Sequence, residues 1–172
     1  MTGTPGDTAT LTGERADLLA TLAKARHFLR FTTRDLDDEQ ARQRTTVSEL
    51  TLGGLIKHVT ATERQWANFM LEGPSAMGAD TAEWAGGFTM AEGESVDGLL
   101  AEYEKDASRT DELVVTLPDL DASHPLPPAP WNPPGERWSA RRTLLHIATE
   151  TAQHAGHADI IRESLDGAKT MG

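Results

Sequence analysis

Cysteine is absent from this sequence of 172 residues. The chain therefore has no disulfide framework and no cysteine ligands for a zinc site. Any thiol chemistry would have to use a thiol supplied from outside the protein. The length suits one domain that buries a sizeable core without covalent crosslinks.

Long apolar runs and basic segments are also missing. Residues 1–10 are rich in Thr, Gly and Pro and have neither a basic start nor an apolar stretch, which argues against a signal peptide or a membrane span. We expect a cytoplasmic protein with a flexible segment at 1–10 and a single domain at 11–168. The net charge of -11, from 27 acidic and 16 basic residues, disfavours nucleic acid as a partner and indicates a solvated acidic surface.

Apolar residues recur at helical spacing in four long segments. The segments run from about Thr12 to Thr33, from Thr51 to the Gly73-Pro74 stop, from Ser95 to Pro118, and from Ser139 to about Leu165. Thr51 and Ser95 are predicted N-caps, and Gly167 is the predicted end of the last helix.

Two long connections join these helices. Residues 75–94 mix Gly, Met and Trp without a period, and seven of the nine prolines lie between Pro118 and Pro134. Because proline lacks an amide donor, we interpret the second connection as an extended crossover that is neither a helix nor a central strand. No segment alternates in the manner of a strand. The sequence therefore predicts an all-α fold, a four-helix bundle with long crossover connections.

The last helix carries a polar stripe at spacings of four, four and three residues: His146, Glu150, His154 and His157. Apolar residues flank the stripe, with Ile147 and Ala158 on one side and Leu145, Ala152 and Ile160 on the other. We therefore expect the stripe to face the core. A buried carboxylate among imidazoles is costly unless it is paired, hydrogen-bonded or bound to a metal.

A divalent-metal site is one interpretation of this stripe. Glu150 and His154 lie one turn apart and can hold one ion, and His58, at the core edge of the second helix, is the best third ligand. Three such ligands leave a coordination position open for water or substrate, as in catalytic zinc sites. Nickel, manganese or iron would accept the same ligands. The alternative is that these histidines are hydrogen-bonded core residues without a metal.

The remaining histidines and the tryptophans have simpler interpretations. His27, next to Phe28 on the first helix, has no acidic neighbour at metal-binding spacing, and His124 lies in the proline-rich connection, so we expect both to be structural. Trp66, Trp131 and Trp138 either pack in the core or form part of a pocket wall.

Two segments resemble signatures of the DinB-like superfamily, in the branch related to mycothiol S-transferases. They are LHIATETAQHAGHADIIRE at 145–163, and SELTLGGLIKHV at 48–59 followed by ERQW at 63–66. The resemblance covers about residues 11–167. Many members carry three histidine ligands, and here Glu150 stands at the first position of the last pair. The sequence is similar in this respect to the N-terminal domain of mycothiol-dependent maleylpyruvate isomerases, which use a His, Glu, His set around zinc. Those isomerases carry a further C-terminal domain, so we do not expect the same substrate here.

The resemblance implies a metal-dependent S-transferase that acts through His58, Glu150 and His154. Mycothiol or a similar low-molecular-weight thiol would be the cosubstrate, and a small electrophile the acceptor. A thiol that replaces the metal-bound water is deprotonated at neutral pH and becomes a nucleophile. The carboxylate ligand should leave that thiolate more nucleophilic than three histidines would. His146 and His157 would orient the ligands or face the substrate, and the sequence leaves open whether either joins the metal ligands.

Other parts of this interpretation are less determined. The groups that hold the thiol are unknown, with Arg141, Arg142 and Arg162 as candidates, and a homodimer is compatible with the sequence. A binding protein that holds a ligand or partner without catalysis is the alternative function, and a purely structural bundle is a third.

Overall fold

The computed structural model describes residues 11–77, 87–130 and 132–171. The segment at 1–10, the middle of the first connection and Trp131 lie outside the described residues.

The described chain is mostly helical, which confirms the all-α prediction. Its helices are α1 (Glu14–Phe31), α2 (Asp38–Arg42), α3 (Leu52–Glu72), α4 (Val96–Thr116) and α5 (Ala140–Asp166), and a single 3-10 turn (Gly73–Ala76) follows α3. The two strands are β1 (Ser123–Pro125) and β2 (Arg137–Ser139). No helix in the described part of the chain is long and apolar enough to cross a membrane.

The predicted helix ends are confirmed by their capping contacts. The side chains of Thr51, Ser95 and Ser139 each accept a hydrogen bond from the backbone N–H three residues further on. Gly73 ends α3 with φ of 73°, and Gly167 ends α5 with φ of 80°, a region that favours glycine.

Two small elements were not expected from the sequence. Helix α2 has only five residues, too few for a helical period to show, although Asp37 and Gln40 form a capping box at its start. Strands β1 and β2 pair antiparallel, with His124 opposite Trp138. Three-residue strands among prolines carry no alternating pattern that could predict them.

The buried apolar residues form two clusters, one near each end of the bundle. One cluster includes Leu29, Leu55, Val59, Leu99, Tyr103 and Ala158, and the other includes Leu22, Ala67, Met70, Val114, Leu144 and Ile147. Helices α3 and α4 begin in the first cluster and end in the second, whereas α1 and α5 run the opposite way. Helix α3 packs against both α4 and α5, and α5 also packs against α1.

These directions distinguish the two long connections. Because α3 and α4 are parallel, the end of α3 and the start of α4 lie at opposite ends of the bundle. Helices α4 and α5 are antiparallel, so the proline-rich segment returns at the same end and forms the β1–β2 hairpin there rather than a crossover.

A polar layer separates the two apolar clusters at mid-height. Arg26 of α1, Glu63 of α3, Thr110 of α4 and Thr151 of α5 are all buried there. His58 and His154 are buried on α3 and α5, five residues before Glu63 and three residues after Thr151. The histidines predicted to bind a metal therefore lie next to the polar layer, on the side of the first cluster.

Candidate metal centre

The structure brings His58, Glu150 and His154 together. His58 is buried on α3, His154 is buried on α5, and Glu150 is half-buried one turn before His154. One ligand atom from each side chain lies within 4.8 Å of the other two. Residues far apart in sequence thus meet where α3 packs on α5.

The distances within this cluster suit a small divalent cation. The Nε2 atom of His154 is 3.6 Å from Oε2 of Glu150, and the rings of His58 and His154 meet edge to face with centroids 4.7 Å apart. Tetrahedral zinc with ligand bonds near 2.0–2.1 Å places neighbouring donors about 3.4 Å apart. Two imidazoles and a carboxylate are a zinc donor set, so these residues fit such an ion with little movement.

Burial keeps the imidazoles in the form that binds metals. Desolvation, with a smaller effect of His154, lowers the pKa of His58 to about 4. Desolvation also lowers the pKa of His154, although the Glu150 carboxylate opposes the shift. Both rings are therefore neutral at pH 7, and a cation does not have to displace protons from them.

His157 contacts the outer side of His154. The two Nδ1 atoms are 3.3 Å apart, so one carries the proton and the other offers its lone pair. If His154 is the donor, its Nε2 lone pair is directed toward Glu150. That tautomer is the one a metal ligand needs, and a hydrogen bond to the second ring nitrogen is the usual way to select it.

His146 lies on the other side of Glu150, in an aromatic cluster. The rings of Trp66 and Trp138 stack with centroids 4.9 Å apart, and the His146 ring meets both edge to face. Its Nε2 atom is 4.0 Å from Oε1 of Glu150. Among the described residues, the cluster of converging ligand atoms includes neither His146 nor His157. Two of the tryptophans that were candidates for a pocket wall thus lie beside the candidate centre.

The three candidate thiol-binding arginines have different surroundings. Arg162 is buried and donates to the carboxylate of Asp166 and to two backbone carbonyls, so it has a structural role. Arg141 pairs with Glu14 and Asp121. Arg142 lies with its guanidinium carbon 4.7 Å from the centre of the Trp138 ring, next to the His146 cluster. Arg142 also pairs with Glu136, at 3.4 Å, but it is exposed and is the one of the three that lies beside the His146 cluster.

The polar stripe lies at the border of the buried face of α5. Leu145 and Ile160 are 49% and 63% exposed, and Ala152 is exposed as well. We expected the apolar residues on both sides of the stripe to be buried, and for the side formed by Leu145, Ala152 and Ile160 this expectation is wrong. Helix α5 packs against α1 and α3 on the Ile147 side, and a helix at the corner of a bundle leaves its other side open.

His27 and His124 lie away from the cluster. His27 is exposed and stacks on Phe31, and His124 meets the Phe69 ring edge to face. Their contacts agree with the structural roles expected for them.

Phe88 is a neighbour of the centre that the sequence pattern did not reveal. Its ring stacks on His58 with centroids 4.2 Å apart and planes at 27°. Phe88 lies within the connection that has no periodicity, so no local pattern marks it. The signal that could have revealed it is the pair Gly53-Gly54 in the first turn of α3, since glycine inside a helix often marks a close approach by another segment.

A family model described as mycothiol-S-transferase matches residues 17–167. The chain belongs to the mycothiol S-transferase family. A search of the curated proteins finds no match. The match spans the long helices of the bundle and includes His58, Glu150 and His154, so the candidate centre lies inside the part of the chain that matches the family.

Proposed function

We propose that this member of the mycothiol S-transferase family is a metal-dependent enzyme that transfers a low-molecular-weight thiol, mycothiol or a similar compound, to a small electrophile. The observation that carries the proposal is the convergence of two neutral imidazoles and a carboxylate at the seam between α3 and α5. Perturbed groups that converge in this way are typical of functional sites.

The absence of cysteine determines where the nucleophile comes from. In the proposed reaction, the sulfur of the incoming thiol forms a bond to a carbon of the electrophile. The leaving group departs with the electrons of the broken bond, and the thiol proton passes to solvent. When bound, the divalent ion would favour the thiolate form of the cosubstrate at neutral pH.

The protein residues have distinct roles in this proposal. His58, Glu150 and His154 hold the ion, and His157 maintains the His154 tautomer. Glu150 contributes a negative charge that partly offsets the charge of the cation. Trp66 and Trp138 form a wall beside Glu150, next to which an electrophile can bind.

We propose zinc as the resident ion, because three nitrogen and oxygen ligands with a free coordination position are typical of catalytic zinc sites. Elemental analysis of the purified protein tests this directly. His154→Ala should lower the zinc content strongly, whereas His27→Ala, a change at an exposed histidine outside the cluster, should not. Nickel, manganese or iron in place of zinc would correct the metal but keep the site, and full zinc occupancy in His154→Ala would refute the ligand assignment.

The activity itself is tested by thiol consumption. The zinc-loaded protein is incubated with mycothiol and a panel of small alkyl and aryl electrophiles, and the loss of free thiol is compared with that in chelator-treated protein. We expect turnover that requires both zinc and the thiol. Equal turnover without metal would refute the mechanism. Zinc binding without turnover on any electrophile would support the alternative, a bundle that binds a ligand or partner without catalysis.

We further propose that the protein forms a homodimer in the cytoplasm, where a pool of reduced thiol is maintained. The outward side of α5 supports the dimer, since Leu145, Ala152 and Ile160 are exposed there. Light scattering after size-exclusion chromatography measures the mass. Ile160→Glu should yield monomers, whereas Val47→Glu, at a fully exposed apolar residue outside α5, should not. A monomeric wild-type protein would refute this proposal.

A further inference from the structure

Phe88 covers one face of a candidate metal ligand. Its ring is stacked on the His58 imidazole, and its centroid is 6.1 Å from that of His154. Phe88 is half-buried and packs against the apolar cluster at the α3 start. It therefore contacts both the core and the candidate centre.

The first turn of α3 holds the Phe88 backbone in place. The backbone N–H and the hydroxyl of Thr51 both point to the Phe88 carbonyl oxygen, at 3.3 Å and 3.4 Å. The same hydroxyl accepts the N–H of Gly54, at 3.1 Å, as the helix N-cap. One threonine thus links the start of the helix that carries His58 to the segment that carries Phe88.

The glycine pair makes this close approach sterically possible. A Cβ atom on Gly54 would overlap the Phe88 carbonyl group, and one on Gly53 would overlap the side chain of Met90. Glycine is a poor helix former, so two in succession need a reason. The reason here is that residues 88–90 lie directly against the α3 backbone.

We propose that Phe88 is a positioning residue that holds the His58 ring in the orientation needed for metal binding. The flat contact restricts rotation of the imidazole about its Cβ–Cγ bond, so that a ring nitrogen stays directed toward Glu150 and His154. Ligands oriented before the ion arrives lose less conformational freedom on binding, and apolar neighbours also limit access of water. This inference rests on the proposed metal site.

A purely structural role for Phe88 makes a different prediction, and Phe28 provides the matched control. Phe28 is also a half-buried phenylalanine packed against the same cluster, but it lies on α1 and is not among the aromatic rings stacked on the candidate ligands. Phe88→Leu and Phe28→Leu each remove a ring from the same cluster. If only packing matters, both variants lose stability and neither changes zinc affinity.

The first experiment measures the zinc Kd by competition with a chromogenic chelator. We expect Phe88→Leu to weaken zinc binding by about 10-fold, the lower end of the range for removal of hydrogen-bonded groups that orient metal ligands. Phe88→Tyr should recover most of the affinity because it keeps the flat ring, and Phe28→Leu should bind zinc as the wild type does. Wild-type affinity in Phe88→Leu, or an equal loss in Phe28→Leu, would overturn the inference.

A second pair of variants tests the backbone contact without changing the ring. Gly54→Ala must displace the Phe88 carbonyl, and we expect it to weaken zinc binding in the same direction as Phe88→Leu. Gly156→Ala is the control, since a Cβ there meets no atom within 4 Å. Unchanged affinity in Gly54→Ala would contradict the role assigned to the glycine.

A measurement on the metal-free protein separates this inference from the proposed function. The stacked ring should shift the carbon-bound proton resonances of His58 in the wild type, and Phe88→Leu should abolish the shift while Phe28→Leu preserves it. A wild-type protein that shows this shift but binds no zinc would refute the metal proposal and keep the contact. A wild-type protein that binds zinc with a His58 signal insensitive to Phe88→Leu would refute the positioning role and keep the metal proposal.

Discussion

Replacing Arg26 by methionine should destabilise the fold strongly, because it removes one partner of a buried ion pair. The side chains of Arg26 and Glu63 are 2% and 0% exposed, and the guanidinium donates two hydrogen bonds to the Glu63 carboxylate. A third hydrogen bond, of 2.7 Å, reaches Asp111 on α4. Arg26 of α1 therefore connects to α3 through Glu63 and to α4 through Asp111, in the polar layer between the two apolar clusters.

The magnitude follows from the charge that remains. Arg26→Met leaves the Glu63 carboxylate buried without its counter-charge, which costs about 3–5 kcal/mol in comparable buried pairs. For a chain of this size, each kcal/mol lowers Tm by roughly 2–4 °C, so the expected loss is about 6–20 °C. The double variant Arg26→Met with Glu63→Leu removes both charges, and replacement of a buried pair by apolar residues of similar volume is often neutral.

Urea unfolding followed by far-ultraviolet circular dichroism measures these free energies. The single-domain prediction for 11–168 corresponds to one cooperative transition in the wild type. We expect a large loss of unfolding free energy in Arg26→Met and recovery of most of it in the double variant. A loss below about 1 kcal/mol in the single variant, the size usual for exposed pairs, would refute the reasoning. So would a double variant whose loss equals the sum of the two single losses.

Three further predictions concern the candidate centre. Folding lowers the pKa of His58 from its ordinary 6.5 to about 4. Between these pH values the unfolded chain binds a proton at His58 that the folded chain does not. The metal-free protein should therefore lose stability as the pH falls from about 6.5 to 4. His58 should account for about 2–3 kcal/mol of this loss. Urea titrations at pH 7 and pH 4 should therefore show a smaller drop in unfolding free energy for His58→Gln than for the wild type. Equal drops in the two proteins would contradict the buried neutral ring. Glu150→His should retain zinc by elemental analysis but change the rate of thiol transfer, since the ligand set loses a negative charge; loss of the metal would show that the site needs the carboxylate. His157→Phe removes the hydrogen-bond partner of His154 and should weaken zinc binding by about 10-fold or more. An unchanged zinc Kd would show that His157 does not orient His154.

The sequence alone predicted the features that depend on local interactions. Helical periodicity and capping involve residues within one or two turns of each other. The sequence could therefore predict the long helices, the caps at Thr51 and Ser95, and the helix ends at Gly73 and Gly167. Glu150 and His154 could be paired for the same reason, since both lie on one helix. The family resemblance supported His58 as their partner, and the match over residues 17–167 confirms the family.

Tertiary structure alone decided which side of each helix meets which neighbour. The packing of α3 on α5 places His58 beside Glu150, and the corner position of α5 exposes Leu145 and Ile160. The stack of Phe88 on His58 and the burial of Arg26 against Glu63 likewise join residues that no local period relates. These contacts depend on the directions of helices and on the course of the connections between them. A one-dimensional pattern records which face of a helix is apolar, but the partner that covers that face is determined only when the whole bundle packs.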